Sequence, residues 1–292
     1  MEASATRSAA WIDREGKLAT EGISVRVPWW SFTKTTLSIA ALSLVEQGRL
    51  PLFEPLAGRT YSLAHLLRHE AGLPDYGGVA RYHEDVAAGK APWPVTRLLR
   101  AVEADRLRYA PGTGWAYSNI GYLQVGQLVA TATGLSLAEA LDRLVFQPAG
   151  VTSARLATTP EQLVGVEMAA TRGYHPGWVY HGLVTGTTAD AARLLHALFA
   201  GAILQSSTVE EMLQGRSLPE HRSARDPDPA YGLGLMMWAT DPHRHPAGHS
   251  GAGPGSKIAV YHRAGETAAI WAASGSGSDP TAEVFGHLER GA

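Results

Sequence analysis

The chain has 292 residues, 45% of them hydrophobic, with 25 Lys and Arg against 27 Asp and Glu for a formal charge of −2. That length can hold one large domain or two interlocked ones around a sizeable core, and its balanced charge has no basic block or acidic tail to steer nucleic acid. It contains no cysteine, which excludes disulfides, thiol catalysis and thiolate metal sites.

Met1 to Ser8 lacks the basic-then-apolar pattern of a secretory leader. No run reaches the ~18 apolar residues of a membrane span, so a cytoplasmic protein without membrane contact is expected. Trp11-Ile12-Asp13 reads as a strand and turn, and Leu18 to Val27 as an interrupted second strand stopped by Pro28. Residues 31 to 47 are helical, with Leu37, Ala40, Ala41, Leu44 and Val45 at helical spacing and Gly48 ending the run. Short helices are expected within 60 to 75 and 94 to 105, and Pro111-Gly112-Thr113-Gly114 as a tight loop. A helix runs from Asn119 to about Thr133 and is closed by Gly134, and Ser136-Leu137-Ala138-Glu139 opens another as a capping box. Residues 187 to 200 form a helix with Leu194, Leu195, Leu198 and Phe199 inward, and Glu210 to Leu213 a shorter one. Residues 216 to 230 read as a polar surface loop. Tyr231 to Trp238, Lys257 to His262 and Thr267 to Ala273 are strand-like, and Pro280 to Leu288 is a terminal helix. Strands at both ends with helices between imply an α/β domain, residues 1–58 and 175–292, interrupted by a mostly helical one, residues 59–174.

Three clusters can carry chemistry. Ser31 and Lys34 stand three residues apart at the helix start, which can put a hydroxyl and an amine on one face. The lysines are Lys17, Lys34, Lys90 and Lys257, in a chain whose cations are otherwise arginine, so a lysine in apolar surroundings stands out. It can act as a base only if desolvation or a nearby cation keeps it partly neutral. In Tyr117-Ser118-Asn119 the phenol can relay a proton if a neighbouring ammonium depresses its pKa, and the amide can accept from a lysine. Gly248-His249-Ser250-Gly251-Ala252-Gly253-Pro254-Gly255 is a turn whose glycines let substrate approach backbone amides, while His249 could orient Tyr117 or a substrate. Taken singly, each cluster also reads as a helix cap, a buried aromatic or an ordinary glycine-rich turn.

Together, in this order, Ser31-Phe32-Thr33-Lys34, Tyr117-Ser118-Asn119 and His249-Ser250-Gly251 resemble the motifs of the serine β-lactamase and penicillin-binding-protein superfamily. The likeness is nearest to the branch of class C β-lactamases, D-aminopeptidases, amidases and β-lactamase-fold esterases. Leu66 to Pro74, Tyr109 to Gly121 and Gly182 to Asp190 extend it over about residues 11 to 290. The resemblance implies an antiparallel sheet flanked by helices, a mostly helical second domain, and an active site in the cleft between them. It also implies an acyl-enzyme on Ser31, with Lys34 and Tyr117 sharing the base role and Asn119 holding lysine and substrate. The amides of Ser31 and Ala252 would form the oxyanion hole. No cofactor or metal is implied.

The third motif commonly begins with lysine in the β-lactamases and cell-wall peptidases. Here His249 stands there, which makes a penicillin-like carboxylate less attractive as a substrate unless Arg244 or Lys257 replaces the cation. Trp30, Trp115, Trp178 and Tyr180 suit an aromatic substrate pocket or, equally, core packing. Asp75, Tyr76, His175, His181 and Gly251 are expected along the same cleft, and His175 and His181 lack a third ligand at metal spacing. Only thirty residues precede Ser31, fewer than the family usually has, and another subunit could cover the thinner edge in a homo-oligomer. The expected function is hydrolysis of a small ester, lactone or amide. A β-lactamase or D-alanyl-D-alanine carboxypeptidase is the alternative, and a non-catalytic binding module of the same fold is the other.

Overall fold

The computed structural model describes residues 7–169 and 173–290. Met1 to Thr6, most of the stretch read above for a leader, lie outside them. The strands are β1 (Arg7–Ile12), β2 (Leu18–Gly22), β3 (Val27–Pro28), β4 (Arg155–Ala157), β5 (Leu183–Gly186), β6 (Arg216–Ser217), β7 (Pro229–Tyr231), β8 (Met236–Trp238), β9 (Ala247–Gly253), β10 (Ser256–Arg263) and β11 (Glu266–Ala273). The α-helices are α1 (Thr33–Glu46), α2 (Leu63–Leu67), α3 (Ala80–Ala87), α4 (Val95–Ala101), α5 (Asn119–Thr133), α6 (Leu137–Leu141), α7 (Thr188–Phe199), α8 (Ser206–Met212) and α9 (Pro280–Arg290).

An eight-stranded sheet runs β2-β1-β11-β10-β9-β8-β7-β6, and a three-stranded one runs β3-β5-β4. Arg7 pairs with Ala272 and Ile12 with Thr267, so the first and last strands lie side by side, one strand in from the β2 edge. Strand alternation separates the faces. Ile258 and Val260 enter the main core, whereas Ala259 and Tyr261 pack with Val284, Phe285 and Leu288 of α9.

The helix expected at 31 to 47 is present, but it is buried all round rather than along one stripe, with Thr33 to Leu42 and Leu44 all inside. A helix enclosed on every side packs between layers, and α1 does so against α5 and α6, with the backbone of Val184 and Gly234 on its first turn. Its polar residues are satisfied individually. Thr33 Oγ1 accepts from the Val184 amide at 3.1 Å, and Thr35 Oγ1 donates to the Gly234 carbonyl at 2.8 Å.

Three other expectations change. The stretch 216 to 230 contributes β6 and β7 to the sheet, and Tyr231 to Trp238 bends at Gly234 (φ +83°) between β7 and β8. The glycine-rich third motif is itself strand β9. Helix α3 and its N-cap turn Val79, Tyr82 and Val86 toward the core, and its one fully buried residue is Asp85, held by Lys90 Nζ at 2.8 Å and Trp93 Nε1 at 2.9 Å.

Candidate active site

Ser31 lies in a single 3₁₀ turn, Trp30–Phe32, immediately before α1. Trp30 has φ +43°, a conformation that costs a bulky residue about 1–3 kcal/mol and persists only where its surroundings enforce it. Here the Trp29 amide donates to the Val184 carbonyl at 2.9 Å, and the Trp30 indole donates to Ser256 Oγ at 3.0 Å. The turn is thereby tied to β5 on one side and β10 on the other.

Lys34 Nζ is fully buried and lies 3.2 Å from Ser31 Oγ, 2.7 Å from Asn119 Oδ1 and 3.3 Å from His181 Nε2. The Tyr117 ring is 4.8 Å away. Burial lowers the lysine pKa to about 7, against the opposing pull of Asp75, because a charge in a poorly solvated site is disfavoured. Asn119 opens α5. Its amide donates to Asp75 Oδ1 at 2.7 Å, and the capping Ser118 Oγ accepts from the Gly121 amide at 3.1 Å.

Tyr117 hydrogen-bonds Ser31, yet burial pushes its phenol well above the ordinary range. The depressed phenol expected from a nearby ammonium is therefore absent. Lys34 is itself near neutrality, and desolvation outweighs the hydrogen bond. Tyr117 is a neutral hydroxyl here, suited to passing a proton along rather than to serving as a resident anion.

In β9, His249 and Gly251 share the face turned toward α1. A Cβ on Gly251 would lie 2.7 Å from the Ser31 amide nitrogen and 2.9 Å from the Trp29 carbonyl oxygen, so only glycine admits this approach. His249 is fully buried, and its Nε2 accepts from the Tyr231 hydroxyl at 2.9 Å. Its Nδ1 meets the Ser250 carbonyl at 2.5 Å and therefore carries the ring proton. Burial, then Lys34, lower its pKa to about 3. The side chain is engaged with Tyr231, not with Tyr117.

A cavity of about 220 Å³ opens over Ser31, lined by Trp30, Tyr76, Tyr174, His181 and Ala252 among others. Among the described residues that line it there is no lysine or arginine. Trp178 and Tyr180 are held instead in the aromatic packing behind it, donating to the Lys90 and Trp93 carbonyls, each at 2.9 Å. Asp75 is occupied by the Asn119 and Gly77 amides. Trp115 lines a second cavity of about 590 Å³ on the α9 side, with Tyr231, Ser250 and Phe285. His175 accepts from the Gly177 amide at 3.0 Å. Arg244 is exposed and faces Asp241, while Lys257 is exposed opposite Ala252 in the β9–β10 pair.

Three residues of the site went unassigned from sequence. His69 (φ +60°) packs its ring 4.3 Å from that of Tyr117 and accepts from the Ser118 amide at 3.1 Å. Its position within Leu66 to Pro74 was the available signal. Tyr122, whose hydroxyl donates to the Leu67 carbonyl at 2.8 Å, and Tyr231, bound to His249, floor the site and carried no such signal.

The family profile described as Beta-lactamase matches residues 10–287. A D-aminopeptidase of Gluconobacter oxydans is 33% identical over 134 residues, which cover 44% of this chain and 24% of that protein. Lovastatin esterase of Penicillium rubens is 25% identical over 280 residues, 72% of this chain and 69% of its own. The structure of an octameric penicillin-binding protein homologue from Pyrococcus abyssi superposes with a TM-score of 0.81 at 20% identity, over 98% of this chain and 73% of that one. The chain spans only 24% to 55% of the length of the first three curated relatives it matches. No helix among the described residues is long and apolar enough to cross a membrane.

Proposed function

The chain belongs to the Beta-lactamase family, and on that premise we propose that it is a serine hydrolase cleaving a small ester, lactone or amide through an acyl-enzyme. The observation that carries this reading is the buried Lys34 amine, near neutrality at pH 7 and 3.2 Å from Ser31 Oγ. A neutral amine there can take the hydroxyl proton as Ser31 attacks the carbonyl carbon. The tetrahedral oxyanion is received by the amides of Ser31 and Ala252. The proton passes through Tyr117 to the leaving group, the acyl-enzyme forms, and water activated by the same pair releases the acid.

An aromatic cavity without a lining cation favours a neutral substrate over a carboxylate-bearing one. With this function we propose a division into residues 1–58 with 175–292 and residues 59–174, a cytoplasmic location, and self-association. Size-exclusion chromatography and cell fractionation test the last two. The function is tested with p-nitrophenyl esters, lactones, aromatic amides and a chromogenic cephalosporin, on wild type and Ser31→Ala. Ester, lactone or amide turnover that vanishes in Ser31→Ala is the expected result. Cephalosporin turnover above all others would establish the β-lactamase alternative. Neither turnover nor covalent labelling of Ser31 would leave a binding module.

A further inference from the structure

We propose that His181 is a positioning residue that aims the lone pair of Lys34 at Ser31. The inference rests on the hydrolase reading above and adds a residue to it. A neutral lysine amine has two N–H bonds and one lone pair. Three polar atoms surround Nζ: Asn119 Oδ1 at 2.7 Å, Ser31 Oγ at 3.2 Å and His181 Nε2 at 3.3 Å. The Asn119 oxygen only accepts. If His181 Nε2 also accepts, both N–H bonds are taken, and the lone pair points to the remaining neighbour, the Ser31 hydroxyl. With one acceptor alone, the second N–H is free to turn toward Ser31 Oγ, and the hydroxyl would then accept a bond instead of giving up its proton.

The tautomer of His181 decides the direction of its contact with Lys34. Its ring is buried, with the imidazolium disfavoured by desolvation and by Lys34. Nδ1 has no hydrogen-bond partner among the described residues, so Lys34 is the polar neighbour that the ring meets, at Nε2, and that nitrogen is assigned as the acceptor. Gly182 (φ +98°) follows, its amide donating to the Val179 carbonyl at 2.7 Å, and β5 begins at Leu183. The ring is thus delivered by a fixed turn. The other titratable groups that act on Lys34 or pack around it are Asp75, Tyr117, Tyr122, His69 and His249. None of these is within hydrogen-bond distance of Nζ, so none can take the second N–H.

The test compares the rate at which a fluorophosphonate labels Ser31, and kcat and KM for a p-nitrophenyl ester, in wild type, His181→Phe and His181→Gln. Phenylalanine keeps the ring volume without an acceptor, and glutamine places an oxygen near the Nε2 position. His181→Phe should label at least about tenfold more slowly and lose kcat rather than gain KM, within the range of a misaligned general base. His181→Gln should recover to within about threefold of wild type, since an acceptor is restored. Labelling of His181→Phe at the wild-type rate, or His181→Gln as slow as His181→Phe, overturns the proposal. Should either variant fail to fold, ¹⁵N histidine spectra of the wild type decide. A proton on Nδ1 of His181 supports it, and one on Nε2 refutes it. If wild type itself is not labelled at Ser31, the hydrolase reading fails and this inference with it, whereas labelled wild type with an indifferent His181→Phe removes the inference alone.

Discussion

Replacing Lys34 with methionine should abolish acylation, and the stability of the variant relative to wild type should fall as pH rises. The lysine pKa falls from 10.5 to about 7 on folding, so the unfolded chain binds the proton more tightly than the native one. Stability therefore increases with pH between those two values. Below pH 7 the native state bears the whole penalty, about 5 kcal/mol at 1.36 kcal/mol per pKa unit. At pH 9 about 2 kcal/mol of it remains, and above about pH 10.5 it is gone. Methionine matches the stem without the charge but leaves Asn119 Oδ1 and His181 Nε2 without their donor, which costs about 1–3 kcal/mol for each group so exposed. That loss is nearly independent of pH, so it sets the offset and leaves the slope untouched. Urea unfolding of both proteins at pH 6 and pH 9 isolates the slope. The stability of Lys34→Met relative to wild type should be greater at pH 6 than at pH 9 by about 3 kcal/mol. An identical difference at both pH values would mean that the amine is solvated or already charged in the native protein, and the proposed base would be lost with it.

Acylation of wild type should rise with pH through about 7, following the fraction of neutral Lys34, and stopped-flow ester hydrolysis from pH 5 to 9 measures it. Asp75 holds that pKa up, so Asp75→Asn should move the rise to lower pH; an unmoved or higher midpoint contradicts the assignment. Gly251→Ala puts a methyl carbon 2.7 Å from the Ser31 nitrogen and 2.9 Å from the Trp29 oxygen, and since backbone cannot yield cheaply it should cut kcat/KM by at least about 10²-fold, as expected when reacting groups are misplaced by an ångström. Tyr117→Phe should lower kcat by about 10²-fold or more through loss of the proton relay, and it should leave the pH midpoint set by Lys34 in place; a shift of that midpoint would make the phenol the titrating base.

The catalytic candidates legible from sequence are those whose geometry is local. Ser31 and Lys34 are related by one turn of chain, and Asn119 is fixed by the helix that it begins. Strands at both ends with helices between suggested the α/β class, and the antiparallel sheet flanked by helices came from the resemblance of the three motifs. His249 was legible as a motif residue but its direction was not. That direction depends on β9 being a strand, which places His249 on the same face as Gly251, and on Tyr231 lying beneath it. Proline and polar residues between 216 and 230 concealed β7, the strand that ends in Tyr231.

The contact between His181 and Lys34 crosses 147 positions of sequence, and no spacing rule reaches that far. What the sequence does carry at such crossings is the absence of side chains. A Cβ on Gly234 would stand 2.0 Å from Ser38 Oγ, and one on Gly253 would stand 2.4 Å from the Trp30 ring. With Gly251 against the Ser31 amide, these glycines mark where sheet backbone and the α1 segment touch without room for a methyl group. Glycine within a strand weakens it, so an interior run such as that in β9 is intelligible only if another segment lies against it. Its partner here is the strained turn that carries Ser31. The local cost in strand stability and the strain at Trp30 therefore have one structural cause, the close seating of Ser31 and Lys34 against β9, which also keeps water from the amine.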